Sequence, residues 1–222
     1  LRPLKRGSLA KLWVGIILLV AAGLLLAWAG AGRTGGVRVN TLQPGSGPLI
    51  TADEIGYLGN AREIVWGNGP SMVRTDIYSA GYSLLLLPFE WLLRDPRSVY
   101  RAAMVLNALT VAATVPVLVA LARSFRFDTA PRLTPWFALV LAFWPSELFQ
   151  AYLALPEVGL RLLTPSALVA GFAVTRGGGW PSALALAAIA ATAFAFHARM
   201  IPLVGLAVLI LGIAAARKRL AW

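Results

Sequence analysis

The chain has 222 residues, of which 59% are hydrophobic and only 13% charged. Soluble domains carry about 25% charged residues, so this composition excludes an ordinary soluble globular protein and points to an integral membrane protein. There is no cysteine, which excludes disulfides and thiolate metal sites, and the net charge of +11 has a topological explanation that removes the need for a nucleic-acid partner.

Leu12 to Gly32 is uncharged for 21 residues and follows Arg2, Lys5, Arg6 and Lys11. That length crosses a hydrocarbon core of about 30 Å. The pattern has the look of a signal peptide, with Ala27-Trp28-Ala29 as an A-x-A site. The run exceeds a signal core of about 7–15 residues, so an uncleaved first span over 12–32 is expected. Residues 33–101 then form a long external loop. Its opening, "RTGGVRVNTLQPGSGPL", is rich in Gly and polar residues and reads as irregular chain.

Within that loop, Thr51 and Glu54 form a T-x-x-E capping box. Ile55, Leu58, Ala61, Ile64 and Val65 supply one apolar helix face, Trp66 sits at interfacial depth, and Gly67 and Gly69 stop the helix. A second apolar stretch, Ser79 to Leu93, contains Pro88 and Glu90 and is too short to span. It reads as a second surface or re-entrant helix packed on the bundle.

Further spans are predicted over 102–122, 133–155, 162–176, 178–196 and 200–216, with Arg161 snorkelling beside the short fourth one. The predicted fold class is therefore all-α. It is a polytopic membrane helical bundle of about six transmembrane helices with short amphipathic external juxtamembrane helices, and residues 1–222 form one transmembrane domain.

The basic residues set the orientation. The N-terminus, the 123–132 loop, the turn at Arg176 and the C-terminus hold 11 of the 20 Lys and Arg, including every Lys. By the positive-inside rule that face is cytoplasmic, with both termini in the cytoplasm and the protein in the cytoplasmic (inner) membrane. Asp128 is then the one acid on that face. Asp53, Glu54, Glu63, Asp76, Glu90, Asp95, Glu147 and Glu157 gather on or near the other, beside a polar cavity expected beneath the two short helices.

The order of these features resembles the GT-C superfamily of membrane glycosyltransferases, which includes protein O-mannosyltransferases, aminoarabinose transferases and arabinofuranosyltransferases. A first span is followed by the acidic pair of "DEIGYLGNARE". Then come "YSAGYSLLLLPFEWLL", similar to the family's segment before an apolar helix, and "VYRAAMVLNALTVAATVPVLVALAR", similar to its second span. Pro156-Glu157 falls in the next external loop, and "HARMIPL" is similar to the junction that opens a later span. The likeness covers roughly residues 50–215. Family members carry more spans and often a soluble C-terminal part. The resemblance thus implies an N-terminal transmembrane module, completed by a further subunit or a C-terminal region.

The resemblance implies an inverting transfer of a sugar from a polyprenyl-phosphate donor to a glycan, lipid or protein acceptor on the extracytoplasmic side, in building the bacterial cell envelope. Asp53 matches the family's catalytic aspartate, with Glu54 beside it. Arg199 matches the residue that holds the lipid phosphate, with His197 and Arg74 as further phosphate candidates. Glu157 is placed for acceptor or metal binding.

Each residue also has a plainer reading. Asp53 suits a helix dipole and Glu54 a capping box. Arg199 suits headgroup snorkelling, His197 a hydrogen-bonded interface, and Glu157 an interfacial anchor. Several acids beside one cavity suit a hard divalent cation, although no ligand spacing fixes one. A non-catalytic lipid-binding or scaffold subunit with this fold is the alternative. A transporter or flippase fits less well, because ionisable residues avoid the span centres.

Overall fold

A computed structural model describes residues 52–67, 79–125, 134–142, 144 and 153–217. The expected first span at 12–32, Arg74 and Thr51 lie outside the described residues. So does most of the second half of the span expected at 133–155. Every regular element among the described residues is helical: α1 (Ala52–Trp66), α2 (Ala80–Leu93), α3 (Pro96–Ser124), α4 (Thr134–Ala142), α5 (Glu157–Thr175), α6 (Gly179–Phe196), a single 3₁₀ turn (Ala198–Met200) and α7 (Ile201–Ala216).

Among the described residues, four stretches are long and apolar enough to cross a membrane: Pro96–Ser124, Glu157–Thr175, Gly179–Phe196 and Ala198–Ala216. Their outer surfaces carry residues such as Leu184, Ile201, Val208 and Leu209, which in water would be a liability and in lipid are matched to their solvent. This is a helical membrane protein.

Helix ends follow local chemistry. The span expected to begin at 102 starts at Pro96, because Asp95 caps it: the Asp95 carboxylate accepts from the Ser98 N–H at 2.9 Å and from the Ser98 hydroxyl at 2.8 Å. Those bonds also hold the Asp95 carboxyl below its ordinary range. α3 is 29 residues long, about 43 Å, so it projects beyond a hydrocarbon core. The span expected at 162 starts at Glu157, behind Pro156. Between α5 and α6, the chain reverses in the three residues 176–178, and Gly177 takes φ of 85°, a conformation that favours glycine.

α3 and α5 run in the same direction, since Val111 and Val158 line one groove and the Arg176 guanidinium donates to the Ser124 carbonyl at their far ends. α6 returns and α7 descends again beside α5. Without a hydrophobic drive between helices in lipid, small residues let backbones approach. The α5–α6–α7 seam is accordingly built on Ala167, Ala170, Ala190, Ala207 and Ala214 with Val174 and Leu186. Hydroxyls within the spans are satisfied locally: Thr110, Thr114, Ser166 and Thr192 each donate to the carbonyl four residues back.

The two short helices sit at the end where α3 and α5 begin. α1 and α2 run side by side in one direction: Tyr57 meets Tyr82 edge-on at 5.8 Å, and Arg62 lies 3.8 Å from Glu90. Further along, Arg94 stacks 5.0 Å above the Trp66 ring. α2 then folds back on α3 through Arg94 and Asp95, with the Tyr82 hydroxyl 3.2 Å from Asn107 Oδ1.

Both short helices turn a polar stripe inward. In α2, Gly81, Tyr82, Ser83, Leu86 and Glu90 are buried, whereas Leu84, Leu85, Trp91 and Leu92 are exposed. In α1 the expected apolar face is only partly the inner one: Ala61 is buried and Leu58 packs against the core, but polar residues share that side. Glu54, Tyr57, Asn60 and Ala61 are buried, and Ile55 is 56% exposed. At a lipid boundary the polar side chains seek the protein, so the usual inside rule inverts.

Gly81 is a close approach of α2 to α6. A Cβ there would lie 2.6 Å from the Ala195 carbonyl carbon and oxygen, which are backbone and cannot swing away. Gly81→Ala is therefore expected to push α2 off α6 and destabilise the protein by about 1–3 kcal/mol. Gly205→Ala, in open space on α7, is expected to be neutral or slightly stabilising. Thermal unfolding in detergent, comparing the two variants, checks this.

Candidate functional site

The end of the bundle that carries α1 and α2 gathers polar side chains from four parts of the chain. Glu54 lies at its centre and is fully buried. Its Oε1 accepts from the Tyr100 hydroxyl at 3.0 Å and from the Ala154 N–H at 2.7 Å. One carboxyl group thus ties the first turn of α1 to the start of α3 and to the segment entering α5. Asn107 repeats the tie one layer deeper, donating from Nδ2 to the Leu153 carbonyl at 2.6 Å while its Oδ1 accepts from Tyr82. These bonds satisfy irregular backbone at membrane depth, where an unpaired N–H or C=O is costly.

Asp53, one residue earlier, is exposed at the opening turn of α1. The two acids therefore separate: Glu54 turns into the bundle and Asp53 faces out.

Three residues beyond Ala154, Glu157 opens α5. Its Oε1 accepts from Arg199 Nη2 at 2.7 Å. The Arg199 side chain is 58% exposed and that of Glu157 28%. Arg199 stands in the 3₁₀ turn between α6 and α7, and its backbone N–H donates to His197 Nδ1 at 3.2 Å. In the same turn the Ala198 N–H donates to the Ser79 hydroxyl at 3.2 Å, which joins this turn to the start of α2. Burial, aided by the neighbouring Arg199 charge, holds the His197 pKa below its ordinary value of 6.5.

Of the residues singled out from sequence, Asp53, Glu54, Glu157, His197 and Arg199 all lie at this end, connected through the Glu54–Ala154 and Glu157–Arg199 contacts. Arg74 lies outside the described residues. Among the described residues no three of His, Asp or Glu come together as a metal site. The sequence reading missed the pairing of Arg62 with Glu90, whose carboxyl is pushed up by burial and drawn back in part by Arg62. It also missed the partners of Glu54, Tyr100 and Ala154. A stripe of Glu54, Tyr57 and Asn60 at helical spacing was the available signal, since polar positions mark the protein-facing side of a helix in lipid.

A cavity of about 320 Å³ lies elsewhere, between α3, α4 and α5. Neither Asp53 nor Arg199 lines it.

No known family, curated protein or solved structure matches this chain.

The His197 contact has a pH signature. A protonated imidazole cannot accept the Arg199 N–H bond. With the folded pKa below the unfolded one, the unfolded chain binds the proton more readily. Stability from this contact is thus full above about pH 6.5 and is lost as pH falls towards the folded value. The melting temperature is expected to drop on acidification through that window. In His197→Asn, where the cap survives without a titrating group, the drop should flatten. Equal acid sensitivity in both proteins would show that the contact does not contribute.

Proposed function

We propose that this chain is a membrane glycosyltransferase module of the GT-C kind, working on the extracytoplasmic face of the cytoplasmic membrane with a polyprenyl-phosphate sugar as donor. The observation that carries the reading is the link from Glu54, next to Asp53 in α1, through Ala154 to the segment that carries the Glu157–Arg199 pair, all at one end of the bundle. Resemblance to the family in the order of its motifs adds to it.

In this mechanism the acceptor hydroxyl approaches the anomeric carbon with Asp53 beside it. Its proton passes to the Asp53 carboxylate as the new carbon–oxygen bond forms. The bond from the anomeric carbon to the phosphate oxygen breaks, and both electrons stay on the lipid phosphate. Arg199 then stabilises the developing charge with a planar, always-cationic fork. Because Arg199 holds Glu157 in the resting protein, the donor phosphate has to compete with that carboxylate. Glu54 acts as a positioning residue: its bonds to Tyr100 and Ala154 hold the first turn of α1, and with it Asp53, against the α5 entrance.

A lipid-binding subunit without catalysis is the second reading, and the apolar cavity away from Asp53 favours it. Turnover of a polyprenyl-phosphate sugar by the purified protein separates the two. Asp53→Asn is expected to slow it by about 10²–10⁴-fold, with the fold intact by circular dichroism. Turnover equal to that of wild type would remove Asp53 from the chemistry.

A further inference from the structure

α2 buries one carboxyl group, that of Glu90, which is 2% exposed. A buried carboxylate needs donors as well as a counter-charge. Among the described residues Arg62, from α1, is the charge that acts on Glu90, and it does so poorly. Its Nη1 stands 3.8 Å from Oε2, beyond hydrogen-bond reach, and Oε2 has no hydrogen-bond partner. The same Nη1 donates instead to the Arg94 carbonyl at 3.4 Å. The Arg62 side chain is 48% exposed, so water screens the attraction that remains. α2 also packs on α3 and α6, and among the described residues neither sends a charged group to Glu90.

An ionised carboxylate in that place lacks a donor. A neutral one carries its own O–H and sheds most of the cost of burial. Parting α1 from α2 lets water reach an ionised Glu90, so the seam has two forms with different proton demands. Closed, it holds a carboxyl whose pKa is raised, chiefly by burial, and drawn back in part by Arg62. Open, it holds a solvated glutamate with the ordinary value near 4.5. The closed form binds the proton more readily. Acid therefore favours closure, and that advantage is lost as pH rises through the closed-form value. The titrating groups at the two ends of α2 act the other way. His197, in the turn beside Ser79, and Asp95, the cap of α3, both have depressed pKa values, and their contacts weaken on acidification.

We infer that Glu90 is a proton-operated clasp: neutral, it lets the second half of α1 close on α2, and ionised, it loosens that seam. The first turn of α1 is held separately by Glu54, so the motion belongs to residues 62–66. The inference does not rest on glycosyl transfer.

Hydrogen–deuterium exchange of the protein in lipid nanodiscs, corrected for the intrinsic pH dependence of exchange, tests this. The amides of residues 62–67 are expected to exchange several-fold more slowly at pH 5 than at pH 8. Glu90→Gln, neutral and of the same shape, should exchange at pH 8 as slowly as wild type does at pH 5, with no pH dependence. Arg62→Gln, which removes the counter-charge, should exchange faster than wild type at pH 8 and still slow on acidification. Wild-type amides that exchange equally at both pH values would overturn the clasp. So would a Glu90→Gln protein that exchanges faster than wild type at pH 8 or keeps its pH dependence. If Glu90→Gln does not yield folded protein, Arg62→Gln decides, and exchange equal to wild type at pH 8 overturns the inference.

Discussion

The Glu54 carboxyl is the contact on which the polar end of this protein depends. It is fully buried, and a single oxygen accepts from Tyr100, 46 residues away, and from the Ala154 backbone, 100 residues away. Leaving those two donors buried without an acceptor would cost about 1–3 kcal/mol each. The arrangement closes a loop in the chain: the start of α1 is held to α3, α3 to the entrance of α5, and α5 through Glu157 to the turn before α7. Everything proposed for Asp53 and Arg199 requires that loop to be closed.

Around it the packing follows the rules of lipid. The spans associate through alanine seams and internally bonded hydroxyls. The aromatic run Tyr57–Tyr82–Phe196 joins the short helices to α6, with ring centroids 5.8 and 6.2 Å apart. Arg94 at the corner between α2 and α3 adopts φ of 56°, a strained conformation for a side-chain-bearing residue, and stacks on Trp66. Basic and aromatic groups therefore meet at the corner where the chain turns from α2 into α3, as expected at an interface with headgroups.

Much of this was legible in the sequence. Composition gave the membrane class, and uncharged runs located the four spans among the described residues, with ends within about six positions of those observed. The clustering of the described acids at one end followed from counting charges. What escaped was direction: Ile55 and Ala61 were placed on one apolar face, yet Ile55 is exposed and Ala61 buried, while Glu54, read as a capping acid or as a partner of Asp53, is buried in the bundle. Periodicity finds a stripe but not which stripe a lipid-facing helix buries. The partners of Glu54 and the pairing of Arg62 with Glu90 join residues that no local pattern connects. Arg161 looked like a snorkelling cation because the cavity it lines is made by three helices that only the fold brings together.

The central claim is that Glu54 holds Asp53 in a fixed relation to Arg199. Since the chain has no cysteine, spin labels can be placed at Asp53→Cys and at Ala198→Cys, the exposed neighbour of Arg199 whose change leaves the Glu157–Arg199 pair in place, without a background. Pulsed electron paramagnetic resonance in lipid nanodiscs should give one narrow distance distribution for that pair, and Glu54→Ala in the same protein should broaden it. A distribution that is already broad with Glu54 present, or one that Glu54→Ala leaves unchanged, would contradict the account.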